Sequence, residues 1–292
     1  MKLTPPEPAV QLETEMMDER RPLVEVDELV SVIKDGSFLA APKDESGVAM
    51  EATRALIRKG VKDLYLLCAP VCGLQVDLLI GAGCVSTVEC GGIVINEIGV
   101  GPRFRNAVRT GAVNVKDSTC PAIHAGLQAG EKGLPFFAMR GILGSDLLKH
   151  RDDWKIIDNP LTAGEDPVVV LPAINPEVFL FHAAWGDLYG NVWIGGRRDL
   201  ARASHASRTT LVTVEEIYDG NLLEDERMAP GTLSSTYVSA VAHAPRGAWP
   251  LALTNRYLDD RAHLHEYARL ARSDEGFDRY MRKYVLATSA AA

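Results

Sequence analysis

Residues 48–68 read VAMEATRALIRKGVKDLYLLC and contain a helix pattern, a stop signal and a strand pattern in direct succession. Apolar side chains recur at helical spacing over residues 48–59, and Gly60 occupies the position that commonly ends a helix. Residues 64–68 then form a short apolar run of the kind that buried strands show. We therefore predict a helix followed by a strand that is covered on both faces.

The same succession continues along the chain. Further helical patterns lie at residues 24–33, 75–82, 103–109, 122–132, 261–272 and 275–284. Further strand patterns lie at residues 37–41, 86–89, 112–115, 168–171, 178–184, 191–194 and 209–214. Residues 185–190, WGDLYG, suit a hairpin or short turn, which makes part of the sheet antiparallel. Because strands that alternate with helices need crossover connections, we predict an α/β fold with an open, mainly parallel, mixed sheet and helices on both faces.

Composition and charge exclude several classes of protein. The 292 residues include 31 Lys and Arg against 39 Asp and Glu, a net charge of −8, and no basic run forms the stripe that a nucleic acid needs. The uncharged stretches at residues 64–76 and 229–245 are too short, or too rich in Ser, Thr and Pro, for a membrane helix. We expect a cytoplasmic protein with neither a nucleic-acid nor a membrane partner.

The first residues differ in composition from the remainder. Residues 1–20 contain five acidic residues and lack the apolar segment of a secretory signal. We predict an N-terminal arm at residues 1–24. Because neither a linker nor an internal repeat divides the remainder, we predict a single α/β domain at residues 25–292.

The five cysteines do not predict a metal site. Their spacings, C-x3-C and C-x5-C among residues 68–90, differ from the C-x2-C pairs of zinc ribbons. Buried thiols that pack as small apolar side chains are the favoured interpretation. The chain also lacks the glycine-rich fingerprint of dinucleotide-binding folds and the G-x-S-x-G motif of hydrolases, so we predict neither site.

Two loops carry residues with potential chemistry. Glu97 follows an apolar loop, where burial would raise its pKa, and the alternative is a solvated loop carboxylate. Arg103 and Arg105 have the forked guanidinium that binds carboxylates or phosphates, and pairing with Glu89 or Asp117 is the alternative.

Residues 117–121, DSTCP, lie between a predicted strand and a predicted helix, where backbone N–H groups receive anions. Ser118 or Thr119 would cap the helix and bind the anion. Cys120 is a nucleophile candidate with His124 one turn on, although a packing role is favoured. Because an unpaired buried guanidinium is costly, we expect Arg140 to meet a carboxylate, a phosphate or the sheet edge.

Several stretches together resemble one family, in their order and spacing. They are residues 79–85 (LIGAGCV), 102–108 (PRFRNAV), 133–136 (GLPF), 143–148 (LGSDLL), the D-x-x-G-N turn at 187–191, and 241–250 (VAHAPRGAWP). The chain resembles the α subunit of class I coenzyme A transferases, of the glutaconate CoA-transferase type. The resemblance implies an open α/β fold, a homologous β subunit in an α2β2 assembly, and an active site at the subunit interface.

Members of that family move CoA between acids through a glutamate that forms a mixed anhydride and then a glutamyl-CoA thioester. The resemblance places that glutamate in a Ser-Glu-Asn-Gly motif of the β subunit, and this chain has no such motif. The resemblance therefore predicts that the chain is the α subunit of a heteromeric CoA-transferase, which acts on an acyl-CoA and a carboxylic acid. The catalytic residue would lie on the partner subunit. No permanently bound cofactor is implied, because coenzyme A and acyl-CoA are substrates.

Two departures from the family pattern keep alternatives open. The Gly-Gly-Phe of relatives is replaced here by residues 40–43, AAPK. A branch that resembles steroid-ring hydrolases carries an E-x-x-E-G segment and a later arginine, and the corresponding positions here are Asp117, Cys120 and Arg140. A CoA-thioester or ring-opening β-diketone hydrolase subunit, or a non-catalytic binding subunit, is therefore the alternative.

The resemblance and the loop residues together give a predicted site. The residues predicted to bind substrate are Glu97, Ser118, Thr119, Cys120 and Arg140. Arg140 would hold a substrate carboxylate, and the loop backbone at Gly91 and Gly92 would approach the CoA thioester because glycine has no Cβ.

Overall fold

A computed structural model describes residues 21 and 23–287. Its strands are β1 (Phe38–Pro42), β2 (Leu64–Ala69), β3 (Val85–Cys90), β4 (Val94–Ile95), β5 (Gly99–Val100), β6 (Asn114–Asp117), β7 (Phe136–Met139), β8 (Lys155–Asp158), β9 (Pro167–Pro172), β10 (Val178–Gly186), β11 (Val192–Trp193), β12 (Thr209–Ile217), β13 (Thr232–Leu233) and β14 (Ala240–His243). Its helices are α1 (Val26–Ser31), α2 (Met50–Lys59), α3 (Leu74–Gly81), α4 (Pro102–Thr110), α5 (Cys120–Glu131), α6 (Arg198–Ala206), α7 (Arg261–Leu270) and α8 (Asp274–Tyr284).

The main sheet is open and mainly parallel. Its parallel strands follow the order β14-β12-β10-β1-β2-β3-β6, and β1 pairs with β2 in the register Leu39↔Leu66. Strand β11 pairs antiparallel with the end of β10, and β13 pairs antiparallel with β11. The turn before β11 is held by Asp187, whose Oδ1 accepts hydrogen bonds from the backbone N–H groups of Tyr189 and Asn191. The predicted mixed sheet and its hairpin are confirmed.

Helices cover both faces of this sheet because successive strand residues point in opposite directions. In β1, Leu39 and Ala41 enter the core cluster that contains residues of α2, α3, α7 and α8, whereas Ala40 enters the cluster that contains residues of α5 and α6. Both clusters are buried apolar side chains. Gly60 ends α2 in the left-handed conformation, with φ of +78°, as the sequence predicts.

The second half of the chain departs from simple alternation. Strand β9, predicted at residues 168–171, lies outside the main sheet and pairs antiparallel with β7 and β8 in a separate three-stranded sheet. The short helix α6 was not predicted. Its buried side chains are Leu200, Ala203, Ser204 and Ala206, and only Leu200 among them is large and apolar.

Most of the predicted N-terminal arm lies outside the described residues. Of its last residues, Leu23 packs against the core, and Val24 forms a parallel bridge with Ala242 of β14. The division into an arm at residues 1–24 and a domain at 25–292 stays a prediction. No helix within residues 21 and 23–287 is both long and apolar enough to span a bilayer.

Candidate functional site

Four parallel strands present loops at one edge of the main sheet. Strands β1, β2, β3 and β6 run in the same direction, so the segments that follow their carboxyl ends, residues 43–49, 70–73, 91–101 and 118–119, lie along that edge. Ligands in open α/β sheets bind in crevices outside the carboxyl ends of the strands. The edge is therefore the candidate site.

A cavity of about 600 Å³ lies at this edge. The loop after β1, the loop after β2, the β4–β5 hairpin and helix α7 all contribute side chains to its wall. The charged or polar side chains that line it include Lys43, Asp44, Glu97, Arg261 and His265. Its volume falls in the range of roughly 300–1,000 Å³ that is typical of small-molecule pockets.

Asp44 is the most strongly perturbed carboxyl of this wall. It is 4% exposed, its Oδ2 accepts a hydrogen bond of 3.2 Å from the backbone N–H of Leu74, and its Oδ1 has no hydrogen-bond partner among the described residues. Burial raises the pKa of Asp44 to about 7, against the smaller opposing effect of the Leu74 hydrogen bond. The side chain is therefore held partly protonated at neutral pH beside a cavity.

Local backbone packing explains why Asp44 is buried. A Cβ at Gly73 would lie 2.1 Å from Asp44 Oδ2 and 2.6 Å from the carbonyl oxygen of Val94, so only glycine leaves room for the carboxyl here. Asp44 was not among the predicted site residues, because residues 42–47, PKDESG, have the composition of a solvated loop. The available signal was its position directly after a buried strand.

Glu97 lines the cavity, and its carboxylate is solvated, which is the second of the two interpretations that the sequence left open. Its side chain is 79% exposed, and its Oε1 lies 3.7 Å from Nη2 of Arg261. The reason is that residues 96–98 form a 3₁₀ turn at the tip of the β4–β5 hairpin, which turns this carboxylate toward solvent. Glu97 and Arg261 therefore lie at the rim of the cavity.

Gly91 and Gly92 connect the loop after β3 to the loop after β2. The N–H of Gly91 donates to the carbonyl of Pro70, and the carbonyl of Gly92 accepts from the N–H of Cys72, a residue of the cavity wall. A Cβ at position 91 would lie 3.2 Å from Sγ of Cys120. Gly91 therefore lets the loop pack against the beginning of α5.

The residues at the beginning of α5 have distinct surroundings. Thr119 is the N-cap, and its Oγ1 accepts from the N–H of Ala122 at 3.2 Å. Ser118 is buried and lines a second, smaller cavity of about 170 Å³, whose wall also includes Phe38 and Tyr65 of the main sheet. Cys120 is partly exposed, and Nδ1 of His124 lies 3.3 Å from a guanidinium nitrogen of Arg202. His124 is thus engaged by a neighbouring helix.

Arg140 lies outside this group of residues. It follows β7 of the three-stranded sheet and lines neither of these two cavities. Its side chain is 60% exposed, and its guanidinium donates to both carboxylate oxygens of Asp166 at 2.7 Å. The pair holds the pKa of Asp166 down at about 2. Arg140 meets a carboxylate, as expected, and that carboxylate belongs to the chain.

A buried ion network at Glu89 also went unpredicted. Glu89, at the end of β3, is 3% exposed and lies 2.8 Å from Arg151 and 3.6 Å from Lys116. Arg151 also donates to the carbonyl of Asp117 at 3.0 Å, so the network joins β3 to the loop that carries Ser118. Arg103, a candidate partner of Glu89, instead pairs with Asp274 at 2.8 Å.

The structure therefore separates the predicted residues into groups. Glu97 lies at the cavity rim, Gly91, Ser118, Thr119 and Cys120 lie side by side at the ends of β3 and β6, and Arg140 lies on another sheet. Within residues 21 and 23–287, no group of three or more His, Cys, Asp or Glu side chains is arranged to hold a metal ion. These features define an α/β chain whose ligand site is built from loops at the carboxyl edge of a parallel sheet.

Comparison with known proteins identifies the family. Residues 24–240 match the family model described as "Coenzyme A transferase", and the chain belongs to that family. It is 32% identical over 264 residues to one of the subunits of the 3-oxoadipate CoA-transferase of Pseudomonas knackmussii, covering 88% of this chain and 90% of that one. It is 33% identical over 262 residues to an uncharacterized protein of Archaeoglobus fulgidus, covering 87% of this chain and 56% of that protein's length.

A solved structure agrees with this assignment. The glutaconate coenzyme A-transferase of Acidaminococcus fermentans superposes with a TM-score of 0.85 at 25% identity, covering 92% of this chain and 90% of that one. The resemblance to the α subunit of class I CoA-transferases is thus confirmed, together with the fold that it implies.

Proposed function

We propose that this chain is the α subunit of a heteromeric enzyme that moves coenzyme A between an acyl-CoA and a carboxylic acid. The observation that carries the proposal is the cavity of about 600 Å³ at the carboxyl edge, in a chain of this family that has no Ser-Glu-Asn-Gly motif. The reacting glutamate then comes from a homologous β subunit that closes the edge, in an α2β2 assembly.

Within this proposal the cavity holds the acyl part of the substrates. Asp44 supports that role because it lines the cavity and, when protonated, does not repel an incoming carboxylate. Arg261, paired with Glu97 at the rim, offers a guanidinium to a substrate carboxylate.

The other predicted substrate-binding residues of this edge lie at the ends of β3 and β6. Ser118 and Cys120, with the Gly91–Gly92 loop, would line the path of the thioester, and Thr119 fixes the beginning of the helix that carries Cys120. Arg140 would serve as a carboxylate anchor only by exchanging Asp166 for the substrate.

Reconstitution tests the proposal. The chain is co-expressed with the product of the adjacent open reading frame, and CoA transfer from an acyl-CoA is measured with and without an acceptor acid. We expect turnover that requires both the partner and the acceptor, and light scattering of the purified complex that gives the mass of α2β2. Robust turnover by the isolated chain would contradict the proposal.

The same assay separates the alternatives. Thioester or β-diketone cleavage that proceeds at full rate without an acceptor acid would favour a hydrolase subunit. A partner that catalyses the reaction equally well without this chain would make it a non-catalytic binding subunit.

A further inference from the structure

A second large cavity lies beyond the β4–β5 hairpin. Its volume is about 570 Å³, and three arginines line it: Arg105 and Arg109 from α4 and Arg272 from the segment that follows α7. All three side chains belong to exposed residues. Within the part of the chain that the structure describes, no carboxylate oxygen lies within 4.0 Å of their guanidinium nitrogens. We call this cavity the arginine groove.

The charge of the groove contrasts with that of the molecule. The chain carries a net charge of −8, and Arg103, Arg140 and Arg151 are each paired with an aspartate or a glutamate. A cleft lined by charges of one sign concentrates ions of the opposite sign. The groove therefore fits an anion, and the planar fork of each guanidinium matches a phosphate group.

The arginine groove adjoins the cavity of about 600 Å³ at the carboxyl edge, which we call the acyl cavity. Ile98 lines both cavities, so the hairpin forms a wall that they share. Helix α7 and the segment that follows it run along both cavities, because Leu264 and His265 line the acyl cavity whereas Ala268 and Arg272 line the groove. From position 261 to position 270 the helical rise of α7 amounts to about 14 Å.

This arrangement fits a ligand with an acyl thioester at one end and phosphates at the other. The pantetheine arm of CoA has a backbone about as long as that of four residues, so it extends roughly 14 Å. We propose that the arginine groove binds the phosphate groups at the nucleotide end of CoA while the pantetheine arm follows α7 to the acyl cavity. The inference rests on the proposed function and names the part of the chain that recognises the nucleotide.

Calorimetric titration of the reconstituted complex tests the inference. The titrants are CoA, 3′-dephospho-CoA and inorganic pyrophosphate, against the wild type, Arg105→Gln and Arg272→Gln. The matched control is Arg282→Gln, because Arg282 is an exposed arginine on the adjacent helix α8 that lines neither cavity.

We expect each groove variant to weaken CoA binding by about tenfold, as the loss of one charged hydrogen bond does, and the control to leave it unchanged. Removal of the 3′-phosphate should weaken binding to the wild type and reduce the difference between wild type and variants. In the transfer assay the KM for acyl-CoA should rise in the variants, and kcat at saturation should remain.

Three outcomes would overturn the inference. If CoA binds with equal affinity to the wild type and to both groove variants, its nucleotide end lies elsewhere. Acceptor-dependent turnover would in that case leave the proposed function intact. Arginine-dependent binding of pyrophosphate without binding of CoA assigns the groove to a free phosphate ligand. Absence of any binding that depends on Arg105 or Arg272 removes the site.

Discussion

Two buried carboxyl groups at the same sheet edge have opposite surroundings. Glu89, near the end of β3, lies among Arg151, Lys116 and the hydroxyl of Tyr65, whereas Asp44, after β1, receives one backbone hydrogen bond and has a free oxygen. A buried charge is tolerated when it is paired, and it costs free energy when it is not. The difference distinguishes a carboxylate that ties loops together from a carboxyl that the fold keeps unpaired beside a cavity.

The pH dependence of stability is the strongest test of this contrast. Because the pKa of Asp44 is about 7 in the folded chain against 3.8 as a reference, its contribution to stability is complete below about pH 4 and is lost as pH rises through 7. At about 1.4 kcal/mol per tenfold change, the loss is roughly 4 kcal/mol. Urea denaturation at pH 4, 6 and 8 should therefore show that, between pH 4 and pH 8, the unfolding free energy of the wild type falls by roughly 4 kcal/mol more than that of Asp44→Asn.

The adjacent exposed carboxylate offers a control for that comparison. Glu45→Gln should keep most of the wild-type pH dependence, because Glu45 is exposed and contributes only a repulsive charge to Asp44. If Asp44→Asn and wild type lose stability in parallel between pH 4 and pH 8, then Asp44 is ionised throughout and the contrast with Glu89 fails.

Removal of the paired carboxylate should destabilise the chain. Glu89→Gln leaves the buried guanidinium of Arg151 with Asp153 as its remaining carboxylate, so we expect a loss of about 3 kcal/mol, at the lower end for a broken buried pair. The denaturation midpoint at pH 7 measures it. Glu216→Gln, which removes an exposed partner of Arg256, should shift the midpoint much less. Equal shifts would show that burial does not strengthen the Glu89 network.

Crowding the space beside Asp44 should have a smaller effect. Gly73→Ala places a Cβ against the Asp44 carboxyl and the Val94 carbonyl, and overpacking of this kind costs about 2 kcal/mol. Gly196→Ala is the matched control, since no atom lies within 4 Å of the Cβ that it adds. Acyl-CoA affinity should fall in the Gly73 variant alone, and an unchanged affinity would place the ligand away from Asp44.

The sequence predicted the sheet better than the cavity for a physical reason. Helical and strand patterns are local, so the strands at residues 37–41, 86–89 and 209–214 could be placed from their own side chains. The burial of Asp44 depends on Leu74 and Val94, which are 30 and 50 positions away, and nothing near residue 44 indicates those contacts.

The predicted site residues show the same limit. Residues that directly follow strands, such as Gly91 and Ser118, lie at the carboxyl edge because topology fixes that edge. Glu97 and Arg140 depend on the tip of a hairpin and on a pairing outside the main sheet, and neither is visible in local sequence patterns. Strand direction is therefore a better guide to this site than residue type.

Substitution of Arg140 should have the smallest effect on stability, and it directly tests the predicted role of this residue. Both it and Asp166 lie at the surface, where solvent screens the pair, so Arg140→Gln should leave the denaturation midpoint almost unchanged. Kinetics of the reconstituted complex then test the role. Loss of a carboxylate anchor should raise the KM for the acceptor acid by about tenfold, whereas the KM for acyl-CoA should not change. An unchanged KM for every acid tested would remove Arg140 from the substrate site and leave the carboxylate to the cavity rim, where Arg261 lies 3.7 Å from Glu97 and 3.8 Å from Asp259.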